Sequence, residues 1–307
     1  MAVPHVSVNF ADVLDPRFQH IFWEEYNELP DMIGRFYTMT PNNGRDTTRW
    51  SQVGTVPNFA QFSGTVDYGS FNQGYDTVLT PLEFTKGVQA ERKLLADDQY
   101  NILDARPKGL AASAFRTRQT HAAARFNSAF SVGGSPTFYI NSENVAMCSN
   151  SHTTTSGAGT GTGFDNLSTA ALSATAVAAV RILMRDYRGD QAERLSIVPD
   201  ELLYPINLYE EAYEIINASG KVDTDLNNPN VHKGQYDGVD WNYLTDTNNW
   251  FMMDSRMRSS MLHWEDREPL EFAFIEDFDT MVGKWRGYMR YGNAHTDWRF
   301  IHGNQVS

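Results

Sequence analysis

The chain has 307 residues, 41% of them hydrophobic and 21% charged, with a net charge of −13. This length and balance suit one or two folded domains with a sizeable core, and exclude wholesale disorder. The acidic charge excludes a protein that coats nucleic acid by bulk attraction, and a single cysteine, Cys148, excludes an intrachain disulfide or a cysteine-built metal framework.

The N-terminal MAVPHVSVNF lacks a basic segment followed by an apolar core and does not read as a secretory signal. Nowhere does the chain reach the run of about 18 apolar residues that a membrane span needs. Residues 1–49 read as an arm, with short helical patches such as Asp15–Asn27 and a turn at Pro41–Gly44. Its Phe10, Phe18, Phe22 and Trp23 need a surface to rest on.

Residues 50–85 read as a long β-hairpin, with a plain surface loop as the alternative. Gly54, Gly64, Gly69 and Gly74 punctuate Val56, Phe59, Phe62, Val66, Tyr68, Phe71, Tyr75 and Val78, and apolar residues roughly alternate with small or polar ones. A hairpin so rich in glycine stabilises itself poorly, so its aromatics need cover from elsewhere. Residues 86–149 hold a helix over Pro107–Phe130. Proline suits its first turn, and Ala111, Phe115, Ala122, Phe126 and Ala129 share one face. Arg116, Arg118 and Arg125 decorate the rest, and Gly133-Gly134 end it.

Residues 150–264 start with GAGTGTGF at 157–164, followed by a helix over Asn166–Asp186 with Leu172, Ala176, Ala179 and Leu183 as its buried stripe. Leu195–Pro199 reads as a short strand. Asp200 reads as the cap of a helix over Glu201–Asn217 that carries Leu202, Tyr209, Tyr213 and Ile216. Trp250–Asp254 is a buried strand. In residues 265–307 the alternation of Met281–Tyr291 and of Asp297–His302 predicts two strands joined by a turn at Gly292-Asn293. Helices and strands are interspersed without a repeating βαβ unit, so the class is α+β.

Tests for chemistry find no reaction centre. The glycines of 157–163 fall at every second position after a polar run, without the G-x-G-x-x-G spacing or a Gly-Lys-Ser/Thr, so the segment reads as slack chain rather than a phosphate cradle. Asp223, Asp225 and Asn227 start like a calcium loop, but Asn228 and Gly234 stand where its glycine and glutamate belong. The eight histidines form no zinc motif, and no G-x-S-x-G or S-x-x-K occurs. Asp97-Asp98 and Glu265-Asp266 are adjacent acids of the kind usually found as surface charge, although paired carboxylates are what a glycosidase uses. No cofactor is implied. What remains is a chain that exposes apolar appendages for other copies to cover.

Several stretches carry a resemblance. NLSTAALSATAVAAVRILMRD followed by LSIVPDELLYPINLYEEAYEII, then WFMMDS, then the C-terminal GYMRYGNAHTDWRFIHGN, resemble in order the major head proteins of tailed bacteriophages, nearest to the Mu-like type. The resemblance implies the Hong Kong 97-type capsid fold. On it, residues 1–49 are the N-terminal arm and 50–85 the extended loop. Residues 86–149 are the peripheral domain with its spine helix over 107–130, 150–264 the axial domain, and 265–307 strands returning to the peripheral domain.

It also implies a shell of hexamers and pentamers around double-stranded DNA in the virion, assembled in the bacterial cytoplasm. Phe59, Phe62, Tyr68 and Phe71 are then intersubunit contacts, and Arg116, Arg118 and Arg125 face DNA or a neighbour. Portal, separate scaffolding and decoration proteins are the further partners implied, with weak nonspecific contact to the packaged DNA. Some relatives weld subunits through a loop lysine; residues 50–85 contain none, which predicts no cross-link. Two other readings stay open at this point: a tail or baseplate protein, and a glycan-binding or glycan-cleaving protein that would use the seven tryptophans.

Overall fold

A computed structural model describes residues 8–307 except 63, 67, 71, 92–104, 133–138, 162, 221–227 and 278. The would-be calcium loop at 223–227, Phe71 and the glycine pair at 133–134 therefore lie outside the described residues, as do the side chains of 8–17, Phe10 among them.

The N-terminal segment is more helical than the sequence patterning predicts. Val8–Glu28 is one helix of 21 residues, α1, followed by a short turn of helix, α2, over Ile33–Phe36. The physical reason is cover within the same chain. Phe18 meets the Trp285 ring edge-on at 5.4 Å, Phe22 stacks on Phe272 at 4.6 Å, and both phenylalanines are buried. Burial of an amphipathic face stabilises a helix that would be marginal alone.

The helix expected over Pro107–Phe130 is present as α3, Ala105–Asn127. Pro107 sits in its first turn, and Leu110, Ala111, Ala114, Phe115, Ala122 and Phe126 make its buried face. Its last residue, Asn127, donates to the carbonyl of Tyr243 and accepts from the amide of Thr245. α3 and α1 pack beside a four-stranded sheet ordered β1 (Thr38–Thr40), β10 (Leu262–Glu276), β11 (Val282–His295), β4 (Leu82–Glu91). The alternation of the C-terminal segment is real, but its partner is different. β11 runs unbroken through Gly292 and Asn293 and pairs with β10, so the turn lies before it, around 277–281. Gly292 serves close approach rather than a turn: a Cβ there would stand 2.7 Å from Leu79.

The second sheet has five strands in the order β6 (Leu167–Ser168), β12 (Ile301–Asn304), β9 (Trp250–Met253), β7 (Glu201–Tyr204), β8 (Asp237–Asp240). The last strand of the chain therefore belongs to this sheet. Glu201–Tyr204 is a strand rather than the start of a helix because all four residues are buried between β9 and β8. Asp200 accordingly caps nothing of its own; its carboxylate accepts from the amide and hydroxyl of Ser255. Leu195–Pro199 forms no strand.

Two helices cover one face of this sheet. α4, Ala174–Arg185, starts later than expected, at Ser173, whose hydroxyl accepts from the amide of Ala176. Its buried stripe is Ala176, Val177, Val180 and Met184, with Ala179 and Leu183 exposed instead. α5, Tyr209–Asn217, follows a 3-10 turn at Ile206–Leu208 and buries Ala212, Ile215 and Ile216, leaving Tyr209 and Tyr213 in water. On this face Leu202, Tyr204, Trp250 and Met252 build one core; on the other, Leu203, Phe251 and Met253 join the core of α1, α3 and the first sheet. A final helix, α6 (Ser255–Met261), capped by Asp254, leads into β10.

A third, small sheet joins β2 (Thr48–Val53), β3 (Gln73–Leu79) and β5 (Tyr139–Asn141). Only the base of the predicted hairpin is thus β-structure. Among the described residues between β2 and β3 there is no strand, and β4, which starts at Leu82, belongs to the first sheet.

Candidate intersubunit surface

The segment 54–72 projects from β2 and β3 and is gripped at its root. The Gly54 amide donates to the carbonyl of Asn72 at 2.8 Å, and the Thr155 hydroxyl donates to the carbonyl of Gln73 at 2.8 Å. Tyr75 and Thr153 share a hydroxyl hydrogen bond of 2.6 Å. Trp50 stacks on His263 with centroids 5.0 Å apart. Behind this root lies a buried polar cluster. The Glu143 carboxylate accepts from the Thr153 amide at 2.8 Å and pairs with His152 at 3.2 Å, while the other ring nitrogen of His152 lies 3.1 Å from Asn166. Asn166 in turn donates to the carbonyls of Met147 and Ile301, so the root is tied into the five-stranded sheet. The sequence showed Ser151–Thr155 only as a polar run; no local pattern marks which of its side chains reach the loop.

Beyond the root the large apolar side chains of the described residues are exposed. Phe59 is 107% exposed, Tyr68 88% and Phe62 72%, and Val56 and Val66 are exposed with them. Phe71, the fourth aromatic of the set, lies outside the described residues. Each large apolar side chain left in water forgoes about 1.5–3 kcal/mol of burial.

The arginines of α3 divide differently from the sequence-based expectation. Arg118 is buried, forming a two-pronged pair with Asp266 at 2.8 and 2.9 Å. Arg125 is buried and donates to both the side chain and the carbonyl of Asn293. Both serve the packing of α3 against β10 and β11. Arg116 alone of the three is exposed.

The glycine run behaves as chain with one tight point. Gly159 and Gly161 have open space where a Cβ would be, whereas Gly163 adopts φ +77° and packs against the carbonyl of Asp186. Among the described residues no cluster of three His, Cys, Asp or Glu side chains can hold a metal ion. The Cys148 thiol is buried and its pKa is pushed up by desolvation. No helix of the described residues is long and apolar enough to cross a membrane.

A rooted, uncovered loop beside a long helix, a four-stranded sheet and a separate helix-covered sheet defines a shell subunit with the Hong Kong 97-type phage capsid fold. A family model described as phage capsid protein matches residues 74–304, three quarters of the chain, and the chain belongs to that family. Among solved structures, the asymmetric unit of the bacteriophage PhiM1 mature capsid is similar over 91% of this chain and 88% of that chain, with 8% identity and a TM-score of 0.58. The capsid of the native GTA particle is similar over 91% of each chain, with 11% identity and a TM-score of 0.55. A structure from Microbacterium phage Oxtober96 is similar over 91% of this chain and 93% of that one, with 10% identity and a TM-score of 0.53. No curated protein matches the chain. At these identities the structures show a shared fold; the family match makes the chain a phage major capsid protein, a structural component of the virion, without singling out the Mu-like branch.

Proposed function

We propose that copies of this chain form hexamers and pentamers that close an icosahedral shell around double-stranded DNA, each extended loop lying across an adjacent subunit. The observation that carries this reading is the exposure of Phe59, Phe62 and Tyr68 on a loop whose root is fixed by hydrogen bonds. Phe71 belongs to the same contact. Covering such a set contributes several kcal/mol per contact, at about 1.5–3 kcal/mol for each side chain. One such contact is reversible, which lets misplaced subunits leave; many acting together hold the closed shell.

The net charge of −13 opposes close approach of copies, so apolar cover and local charge pairs set the contacts. Arg116, on the exposed side of α3, meets packaged DNA or an acid of a neighbour. The loop holds no lysine, so association is non-covalent. Portal, separate scaffolding and decoration proteins complete the assembly, which takes place in the bacterial cytoplasm. Deleting residues 57–70 leaves every strand intact and is expected to give a folded, soluble subunit that makes no shells by electron microscopy when produced with the other head proteins of its phage. Normal shells from that deletion would overturn the reading. Rings or tubes from the intact chain would point to a tail or baseplate role instead.

A further inference from the structure

We infer that within each ring of the shell the α5 face of one subunit docks on the α4 face of the next, acid against base. This rests on the shell reading above and names the two faces that neighbouring copies use. Both helices cover the same side of the five-stranded sheet, α4 over the central strand β9 and α5 over the edge strand β8. Each has an apolar side that the chain leaves uncovered. On α4, Ile182 is 71% exposed and Leu183 45%. On α5, Tyr209 and Tyr213 are both exposed and stack on each other with centroids 6.2 Å apart.

The charges beside these apolar residues are opposite. α4 carries Arg181 and Arg185, one helical turn apart, and α5 carries Glu210, Glu211 and Glu214, all three exposed. Among the described residues no ion pair joins the two sets within the chain; Arg181 lies beside the Tyr236 hydroxyl instead. Two distinct patches that complement each other make a head-to-tail contact, and a head-to-tail contact that closes makes a ring. The alternative twofold pairing of α5 with α5 would set its glutamates against one another, which like-charge repulsion disfavours. Tyrosines and aliphatic side chains then supply the cover, and the charges fix which face meets which.

Charge reversal tests this directly. The chain is produced with the other head proteins of its phage, bearing R181E/R185E, E210K/E214K, or all four changes, and particles are counted by sedimentation and electron microscopy. Each pair alone is expected to lower the yield of shells at least tenfold, with the subunit still folded by circular dichroism, and the four together are expected to restore it. Mixing the two reversed proteins adds a sharper outcome. They pair only in alternation, so six-membered rings form while five-membered rings, which force one like-charge contact, do not.

Should the double reversals unfold, R185E and E214K, both at exposed side chains, carry the same comparison. Wild-type yields from either reversed protein, or no recovery when the reversals are combined in folded subunits, would overturn the pairing. Absence of shells from the unsubstituted chain would instead sink the shell reading itself, and the pairing with it.

Discussion

Arg118 grips Asp266 through two parallel hydrogen bonds of 2.8 and 2.9 Å, fixing the middle of the long helix α3 to strand β10. The same carboxylate accepts from the indole nitrogen of Trp264 at 2.9 Å, and the guanidinium lies 5.4 Å from the centres of both the Trp264 and Tyr291 rings. This arginine is part of the wall between helix and sheet.

Arg118→Ala is expected to destabilise the unassembled subunit by about 3 kcal/mol, the lower end for breaking a buried pair, because Asp266 retains some access to water. Equilibrium urea unfolding measures it. Arg118→Lys keeps the charge but loses the planar fork and the stacking, so it should recover less than half of the loss. Stability unchanged by Arg118→Ala would show that the pair contributes nothing to folding.

The loop aromatics make the opposite forecast. Phe59→Ser, Phe62→Ser and Tyr68→Ser remove side chains that touch little within the chain, so subunit stability should stay within about 0.5 kcal/mol of the parent. Shell yield should fall steeply with each and vanish when all three are combined. Phe22→Ser is the control. Its ring is fully buried against Phe272, and loss of a buried phenylalanine costs about 3–5 kcal/mol. Thermal unfolding of subunits and sedimentation of assembled particles together separate the two kinds of defect.

Periodicity made some of this architecture legible and hid other parts for identifiable reasons. Pro107 and the apolar face of α3 state their structure locally, because the burial pattern repeats with the helix's own period. Glu201–Tyr204 does not. A strand buried on both sides has no alternation, and its ELLY is equally good helix, so its place between β9 and β8 decides it. Gly292-Asn293 looked like a turn because close approach to Leu79 and a tight turn demand the same residue. The loop was legible in composition, since aromatics spaced by glycine and polar residues advertise missing cover. Its root was not: Thr153, Thr155 and the Glu143–His152 pair meet it from distant sequence.

Acid should loosen the subunit through His302. The ring is buried between the Tyr187 hydroxyl and the Ser168 hydroxyl, each at 2.8 Å, and desolvation pushes its pKa down to about 4. The folded state therefore holds this histidine neutral while the unfolded chain protonates near pH 6.5. Its stabilising contribution is complete above pH 6.5 and is lost as pH falls towards 4, a difference of roughly 3 kcal/mol. Urea midpoints of the subunit measured across that window should fall with pH, and His302→Gln should flatten the slope. An unchanged slope in His302→Gln would place the acid sensitivity elsewhere.

Gly163 gives the most local forecast, because a single glycine of the run GAGTGTG at 157–163 carries a steric constraint as well as an unusual backbone angle. Its φ of +77° is unfavourable for any residue with a side chain, and a Cβ there would stand 2.3 Å from the Asp186 carbonyl oxygen. The Gly163 carbonyl also accepts from the Arg188 amide at 3.1 Å, so the backbone cannot move away without breaking that bond. Gly163→Ala should cost more than about 2 kcal/mol. Gly159→Ala and Gly161→Ala meet nothing within 4 Å and keep ordinary backbone angles, so they should be neutral or stabilising by up to about 1 kcal/mol. A phosphate cradle would need backbone amides bared along the whole run, and would make all three substitutions costly for ligand binding. Losses confined to Gly163, read by urea unfolding of the three variants, mean that the run is a connector whose last residue lets the chain pass under Asp186 into the core around Phe164.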